Sequence, residues 1–158
     1  MIRFIAVIDS KYGMANDHGI PWQGLIPTDT KFFREKTRHN NVLMGFVTYK
    51  EFDKPLSDRE NYVAVPSREK IRHGFKQTHD PREFLKRAKE DVWVIGGAGL
   101  FASVLDLADE LYITRVEGDF KCTKFFPKFE QDFTLAEQSK PSTENDIIFH
   151  FEIWKKNK

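Results

Sequence analysis

A chain of 158 residues is long enough for one domain with a real core and too short for two, so residues 1–158 are read as a single domain. Hydrophobic residues at 40% and charged residues at 31% are ordinary for a soluble globular protein, and a net charge of +1 argues against broad nucleic-acid binding, which needs a clustered basic surface. Cys122 is the only cysteine, which excludes an intramolecular disulfide and a cysteine-based zinc site, and the five histidines show no zinc spacing, so no metal is expected.

The apolar run Ile2 to Ile8 is a strand candidate of the kind buried on both faces. It lacks a basic leader and ends at Asp9, too early for a signal peptide. No apolar stretch approaches a membrane span, and a soluble cytoplasmic protein is expected. Asp9 to Ile20 is polar and punctuated by glycine, a long loop suited to closing over a site. Thr28 to Arg38 predicts a helix, with Thr28 as its N-cap, Asp29 in the first turn and Phe32 and Phe33 on the buried side.

Asn41 to Gly45 predicts a short strand, Thr48 to Phe52 a helix, and Asn61 to Val65 another strand. A helix over Pro81 to Lys89 has proline in its first turn. Val92 to Ile95 is a central strand, Gly99 to Leu107 the helix behind it, and Glu110 to Val116 a further strand. Phe133 to Ser139 and the alternating run Ile147 to Trp154 predict a closing antiparallel pair. Strands alternating with helices make an α/β fold: a central, mostly parallel twisted sheet with helices on both faces and a C-terminal antiparallel strand pair.

Ligands on such sheets sit at the carboxyl ends of the strands. Two distant segments meet that rule. Pro21-Trp22-Gln23-Gly24-Leu25-Ile26-Pro27-Thr28-Asp29 sets one carboxylate behind an aromatic and apolar stretch, and Val92-Trp93-Val94-Ile95-Gly96-Gly97-Ala98-Gly99 runs a buried strand into glycines and a helix. Glycines there let backbone approach a phosphate closely. A carboxylate in an apolar wall beside a dinucleotide turn suggests reduction of a small heterocycle. Read alone, Asp29 is an ordinary helix N-terminal charge, Phe33 a core aromatic, Arg59 a solvated turn arginine and Gly96-Gly97 a tight turn.

Together these residues resemble dihydrofolate reductase over nearly the whole chain. The resemblance rests on Ile20-Pro21-Trp22, Pro27-Thr28-Asp29 with Phe33, Met44-Gly45, Thr48-Tyr49 and Leu56 with Arg59-Glu60-Asn61. It continues through Val94-Ile95-Gly96-Gly97, Leu111-Tyr112-Ile113-Thr114 and Phe125-Phe126-Pro127. It implies a monomer that reduces 7,8-dihydrofolate to tetrahydrofolate with NADPH, in support of one-carbon metabolism and of thymidylate and purine synthesis, and that is a target for antifolates.

By the same resemblance Asp29 and Trp22 are catalytic, and Asp29 is the single pterin-binding carboxylate. One carboxylate suits an amino group and a ring N–H presented side by side. Ile5, Ala6, Phe33, Phe52, Leu56, Ile95 and Thr114 join it on the substrate side, with Arg59 pairing the substrate's α-carboxylate and Thr114 supporting Asp29. Apolar neighbours such as Ile5, Trp22 and Phe33 push the Asp29 pKa upward. The cofactor side takes Val7, Met14, Ala15, Gly45, Val47, Thr48, Gly96, Gly97, Ala98, Gly99, Leu100 and Phe101, with Ser67 and Arg68 for the adenosine 2′-phosphate. Met14 to Gly19 matches the family's closing loop.

The chain departs from the family pattern in several places. Gly24-Leu25-Ile26 lengthens the connection from Trp22 to Asp29, and Ala15 stands where the closing loop often has glycine. Phe46-Val47 replaces a basic approach to the adenosine phosphate, which leaves NADH as an alternative donor unless Arg68 compensates. Cys122-Thr123 lies where a Gly-Asp pair often bonds the closing loop, and the threonine hydroxyl is expected to serve instead. The competing readings are a riboflavin-pathway pyrimidine reductase of the same fold, which has no need of the Pro-Trp and Asp29 segments, and a degenerate module that only binds a nucleotide.

Overall fold

Eleven strands and four α-helices make up the described part of the chain, a computed structural model covering residues 1–66 and 68–158. The expected role of Ser67 therefore lies outside the described residues. In chain order the first elements are β1 (Ile2–Ile8), β2 (Gly13–Ala15), α1 (Pro27–Thr37), β3 (Asn41–Gly45), α2 (Phe46–Lys50), β4 (Glu60–Ala64), β5 (Phe75–Thr78) and α3 (Pro81–Arg87). Then follow β6 (Val92–Val94), α4 (Ala98–Val104) with a 3-10 turn at Leu105–Leu107, β7 (Glu110–Val116), β8 (Lys124–Phe125), β9 (Phe133–Gln138), β10 (Ser142–Glu144) and β11 (Ile147–Lys156).

The main sheet runs β10-β11-β7-β1-β6-β3-β4-β5. From β7 to β5 every pairing is parallel, whereas β11 is antiparallel to β7, β9 and β10. Period-2 alternation of side chains explains the two layers of core. From β1, Phe4, Ala6 and Ile8 point to one face, where Leu85 of α3 and Leu100, Phe101 and Val104 of α4 cover them; Ile5 points to the other, with Phe32 and Phe33 of α1 and Tyr49 of α2. Helices thus lie on both faces, as expected. The chain steps outward through β3, β4 and β5, then returns to lay β6 between β1 and β3. That reversal opens a crevice at the carboxyl ends of β1, β6 and β3.

Several local expectations are corrected. Thr28 is not the N-cap of α1: Pro27 starts the helix one residue earlier, and Ile26, at the cap position, offers no side-chain acceptor. Pro27 forfeits no bond there, because the first helical N–H has no partner inside the helix. Residues 9–20 are not one open loop, since β2 pairs with β8 and Asn16 bridges Gly19. The short strands β5, β8 and β10 carried too few apolar residues to register as periodic. The remaining elements differ from expectation mainly at their ends, where α2 begins two residues sooner and β11 runs two residues longer.

Candidate active site

A cleft of about 1680 Å³ occupies the crevice. Parallel strands that end together carry Ile5, Ala6 and Val7 from β1, Gly45 from β3, Ala64 from β4 and Ile95 to Gly97 after β6 to its floor. One wall is α1 with Asp29, Thr30, Phe33 and Arg34; the other comprises α2 and the loop after it, with Phe52, Leu56 and Arg59. Met14, Ala15, Gly19, Ile20 and Trp22 close the remaining side.

The carboxyl of Asp29 accepts a hydrogen bond at Oδ1 from Thr114 Oγ1 at 2.7 Å. Register explains the meeting: Thr114 of β7 lies beside Val7 of β1, at the strand ends where the first turn of α1 passes. Burial raises the Asp29 pKa most, the Thr114 bond opposes it, and the like charge of Glu144 adds to the rise. Among the described residues Oδ2 makes no hydrogen bond. Trp22 is buried and packs edge-on against Phe120 at 5.3 Å, which fixes the segment leading to Asp29.

At the far end of α1, Arg59 donates from Nε to the Ser57 carbonyl at 2.9 Å and from Nη1 to Thr37 Oγ1 at 2.8 Å. Its pKa is lowered, by burial first and then by Arg34, with Asp58 opposing the fall and Arg38 adding to it. Buried Asn61 holds this turn: its Oδ1 accepts from Leu56 N at 2.9 Å, and its Nδ2 donates to the Leu56 and Arg59 carbonyls at 3.0 Å each. Asn61 was part of the recognised motif, but its type alone did not reveal this bracing.

Beyond β6 the backbone forms a platform. Gly45 N donates to Gly96 O at 2.7 Å, and the Gly96-Gly97 peptide is cis. Gly96 has φ +120, which side chains resist, and a Cβ on Gly97 would stand 3.3 Å from Thr48 Oγ1. Around Gly99 there is open space. Gly45, Val47, Thr48 and the run Gly96 to Phe101 all line the cleft, as do Phe46 and Ser103. Arg68 is exposed, two positions beyond Pro66, which lines the cleft. Thr114 lies behind Asp29 and donates to its carboxyl.

The closing segment is tied at its base by Asp9, which is fully buried. Its Oδ1 accepts from the backbone N–H groups of Lys11 (2.8 Å) and Gly13 (2.7 Å), and its Oδ2 from Phe120 N (3.0 Å). The Thr123 link to Ala15 exists, but it runs through the Thr123 backbone N–H to the Ala15 carbonyl at 2.9 Å rather than through the hydroxyl, because the strand geometry of β2 and β8 aims main chain at main chain. Cys122 packs against Gly13, and burial, reinforced by Asp9, pushes its thiol up to about 11, which leaves it a poor nucleophile. Among the described residues no cluster of side chains suits a metal ion.

The family model described as dihydrofolate reductase matches residues 1–156. The chain is similar to a dihydrofolate reductase of Bacillus subtilis (strain 168), 27% identical over 161 residues that span 99% of this chain and 95% of the relative. One from Buchnera aphidicola is 30% identical over 132 residues, spanning 82% and 80%. The fold superposes on dihydrofolate reductase from Enterococcus faecalis complexed with NADP(H) and RAB-propyl with a TM-score of 0.89 and 25% identity, covering 100% of this chain and 97% of that one. With an apolar cleft around one supported carboxyl, a glycine platform beside it and the family model matched over residues 1–156, the chain belongs to the dihydrofolate reductase family.

Proposed function

We propose that this chain reduces 7,8-dihydrofolate to 5,6,7,8-tetrahydrofolate with NADPH, and that Asp29 is the group that holds the pterin and governs its protonation. The observation that carries the assignment of roles is the Thr114–Asp29 bond at 2.7 Å inside a cleft that also contains the Gly96-Gly97 platform. The residues fit the cofactor. Gly45, Gly96 and Gly97 keep the platform free of side chains beside Thr48, and a Cβ at Gly97 would crowd the Thr48 hydroxyl. NADPH supplies the hydride when bound.

Everything else falls to the chain. Asp29 Oδ2 is available to the amino and ring N–H donors of a pterin edge, while Thr114 keeps Oδ1 from rotating away. Ile5, Phe33, Phe52, Leu56 and Ile95 give the rings an apolar slot and exclude water from it. That same exclusion raises the Asp29 pKa, so the site retains a proton further toward neutral pH than an exposed aspartate would. The rate therefore falls as pH rises through the Asp29 titration. Arg59, steadied by Ser57 and Thr37, keeps guanidinium N–H groups for a carboxylate tail.

A nucleotide-only module has no use for Asp29, Phe33 and Arg59 in the same cleft, and a riboflavin-pathway reductase has no use for the Trp22-to-Asp29 segment. The cleft needs no residue from a partner, in keeping with the proposed monomer acting as one domain, and the cytoplasmic location is proposed from the family resemblance; no helix among the described residues is long and apolar enough to cross a membrane. Loss of absorbance at 340 nm with purified protein, dihydrofolate and NADPH tests the reading. Dihydrofolate-dependent oxidation is expected, faster with NADPH than with NADH. Nucleotide binding without any such oxidation would contradict it.

A further inference from the structure

The start of α1 is not capped by its own sequence. Ile26 has no acceptor to offer, yet Thr28 is held: its N–H donates to Glu144 Oε1 at 2.9 Å and its hydroxyl to Glu144 Oε2 at 2.8 Å. Glu144 lies 116 positions away, at the end of β10. The turn that follows, Asn145 and Asp146, has φ values of 48 and 64, and Asn145 Nδ2 donates to the Leu25 carbonyl at 2.7 Å. Beneath these polar contacts Ile26 is buried with Ile147 and Phe149 of β11. A hairpin thus clasps the lengthened Gly24-Leu25-Ile26 connection by two polar anchors and an apolar one.

The same unit also supplies the partner of Asp29. Thr114 sits on β7 opposite Phe151 of β11, so β11 connects the residue that bonds Asp29 to the residue that caps its helix. Resting on the assignment of Asp29 made above, we propose that Glu144 is a positioning residue for the reduction. It fixes the first turn of α1 so that Asp29 meets Thr114, and it sets a second negative charge behind the Asp29 carboxyl. An anion at a helix N-terminus is favourable in itself, which offsets the repulsion between the two carboxylates.

The surrounding charges leave Glu144 as the one that matters. On α1, Lys31 pairs with exposed Glu35 at 3.9 Å, and Arg34 lines the cleft toward Arg59, which is tied to Thr37. On β7, Arg115 is engaged by Glu152 at 3.0 Å. Asp146 is exposed on the turn, and His18, Glu51, Lys54 and Lys124 line the cleft from other segments. Of all these, Glu144 is the charge that raises the proton affinity of Asp29.

The test compares the full-length parent with Glu144→Gln and Glu144→Ala. Titration of the Asp29 carboxyl by carbon NMR, assigned with Asp29→Asn, is read beside the pH dependence of dihydrofolate reduction and the Tm. Glutamine keeps the size and an acceptor for Thr28 N but removes the charge, so the Asp29 midpoint falls and turnover at neutral pH drops by roughly two- to fivefold, with Tm little changed. Alanine lowers Tm as well and lowers turnover further. An Asp29 midpoint in Glu144→Gln that superimposes on the parent's, with only Tm moving in Glu144→Ala, would overturn the proposal. If the parent itself failed to reduce dihydrofolate, the assignment of the cleft would fall while the NMR midpoints still decided the role of Glu144.

Discussion

Thr114 and Asp29 stand 85 positions apart and share one hydrogen bond of 2.7 Å, and that bond stabilises the ionised carboxylate against the burial that disfavours it. Thr114→Val removes the donor and preserves the shape. Nothing then opposes desolvation, so the Asp29 pKa rises further, and the limb of the rate profile that depends on it moves to higher pH. The carboxyl also loses its fixed orientation, and turnover drops by about tenfold, the equivalent of about 1.4 kcal/mol. A pH–rate profile of the variant checks both.

The raised pKa of Asp29 has a consequence for stability. Between its unfolded and folded pKa values the folded state binds the extra proton, so stability contributed by the protonated group is full below the unfolded value and is lost as pH rises through the folded one. Asp29→Asn abolishes that loss. The variant is expected to gain Tm relative to the parent at pH 7 and to lose the advantage near pH 3, which thermal melts at the two pH values measure.

Arg59 is planar, and on the proposed function the donors left over from Ser57 and Thr37 would meet a tail carboxylate in a fork that an ammonium cannot reproduce. Arg59→Lys should raise KM for dihydrofolate by about ten- to a hundredfold, with kcat changed far less, because the proposed contact is with a part of the substrate remote from the chemistry. Steady-state kinetics with dihydrofolate as the varied substrate decide the split.

Gly13 tolerates no side chain. An added Cβ would lie 2.6 Å from Cys122 Cβ and 2.8 Å from Asp9 Oδ2, between the base of the closing segment and the strand that braces it. Gly13→Ala is expected to destabilise the fold by about 1–3 kcal/mol in denaturant melts. Gly99→Ala, which meets open space, leaves stability nearly unchanged.

Much of this was legible in the sequence for physical reasons. The strands β1, β3, β6 and β7 are rich in apolar residues because both faces of a parallel sheet are covered, and Asp29, Phe33 and Gly96-Gly97 belong to segments whose spacing together admits few other uses. What escaped were relations between distant residues. Thr28 has the chemistry of a cap, but the capping acceptor is Glu144 from the opposite end of the chain. Asp9, in a polar stretch, gave no sign that it would be fully buried, because the three N–H groups that satisfy it come from the turn after β1 and from Phe120.

The most direct test of the assignment of Asp29 is a single-turnover measurement of NADPH oxidation by Asp29→Asn and the parent at pH 7, with NADPH affinity determined separately by fluorescence. A loss in rate on the order of a hundredfold or more, with NADPH affinity unchanged, is the expected result. A variant that reduces dihydrofolate as fast as the parent would remove Asp29 from the mechanism.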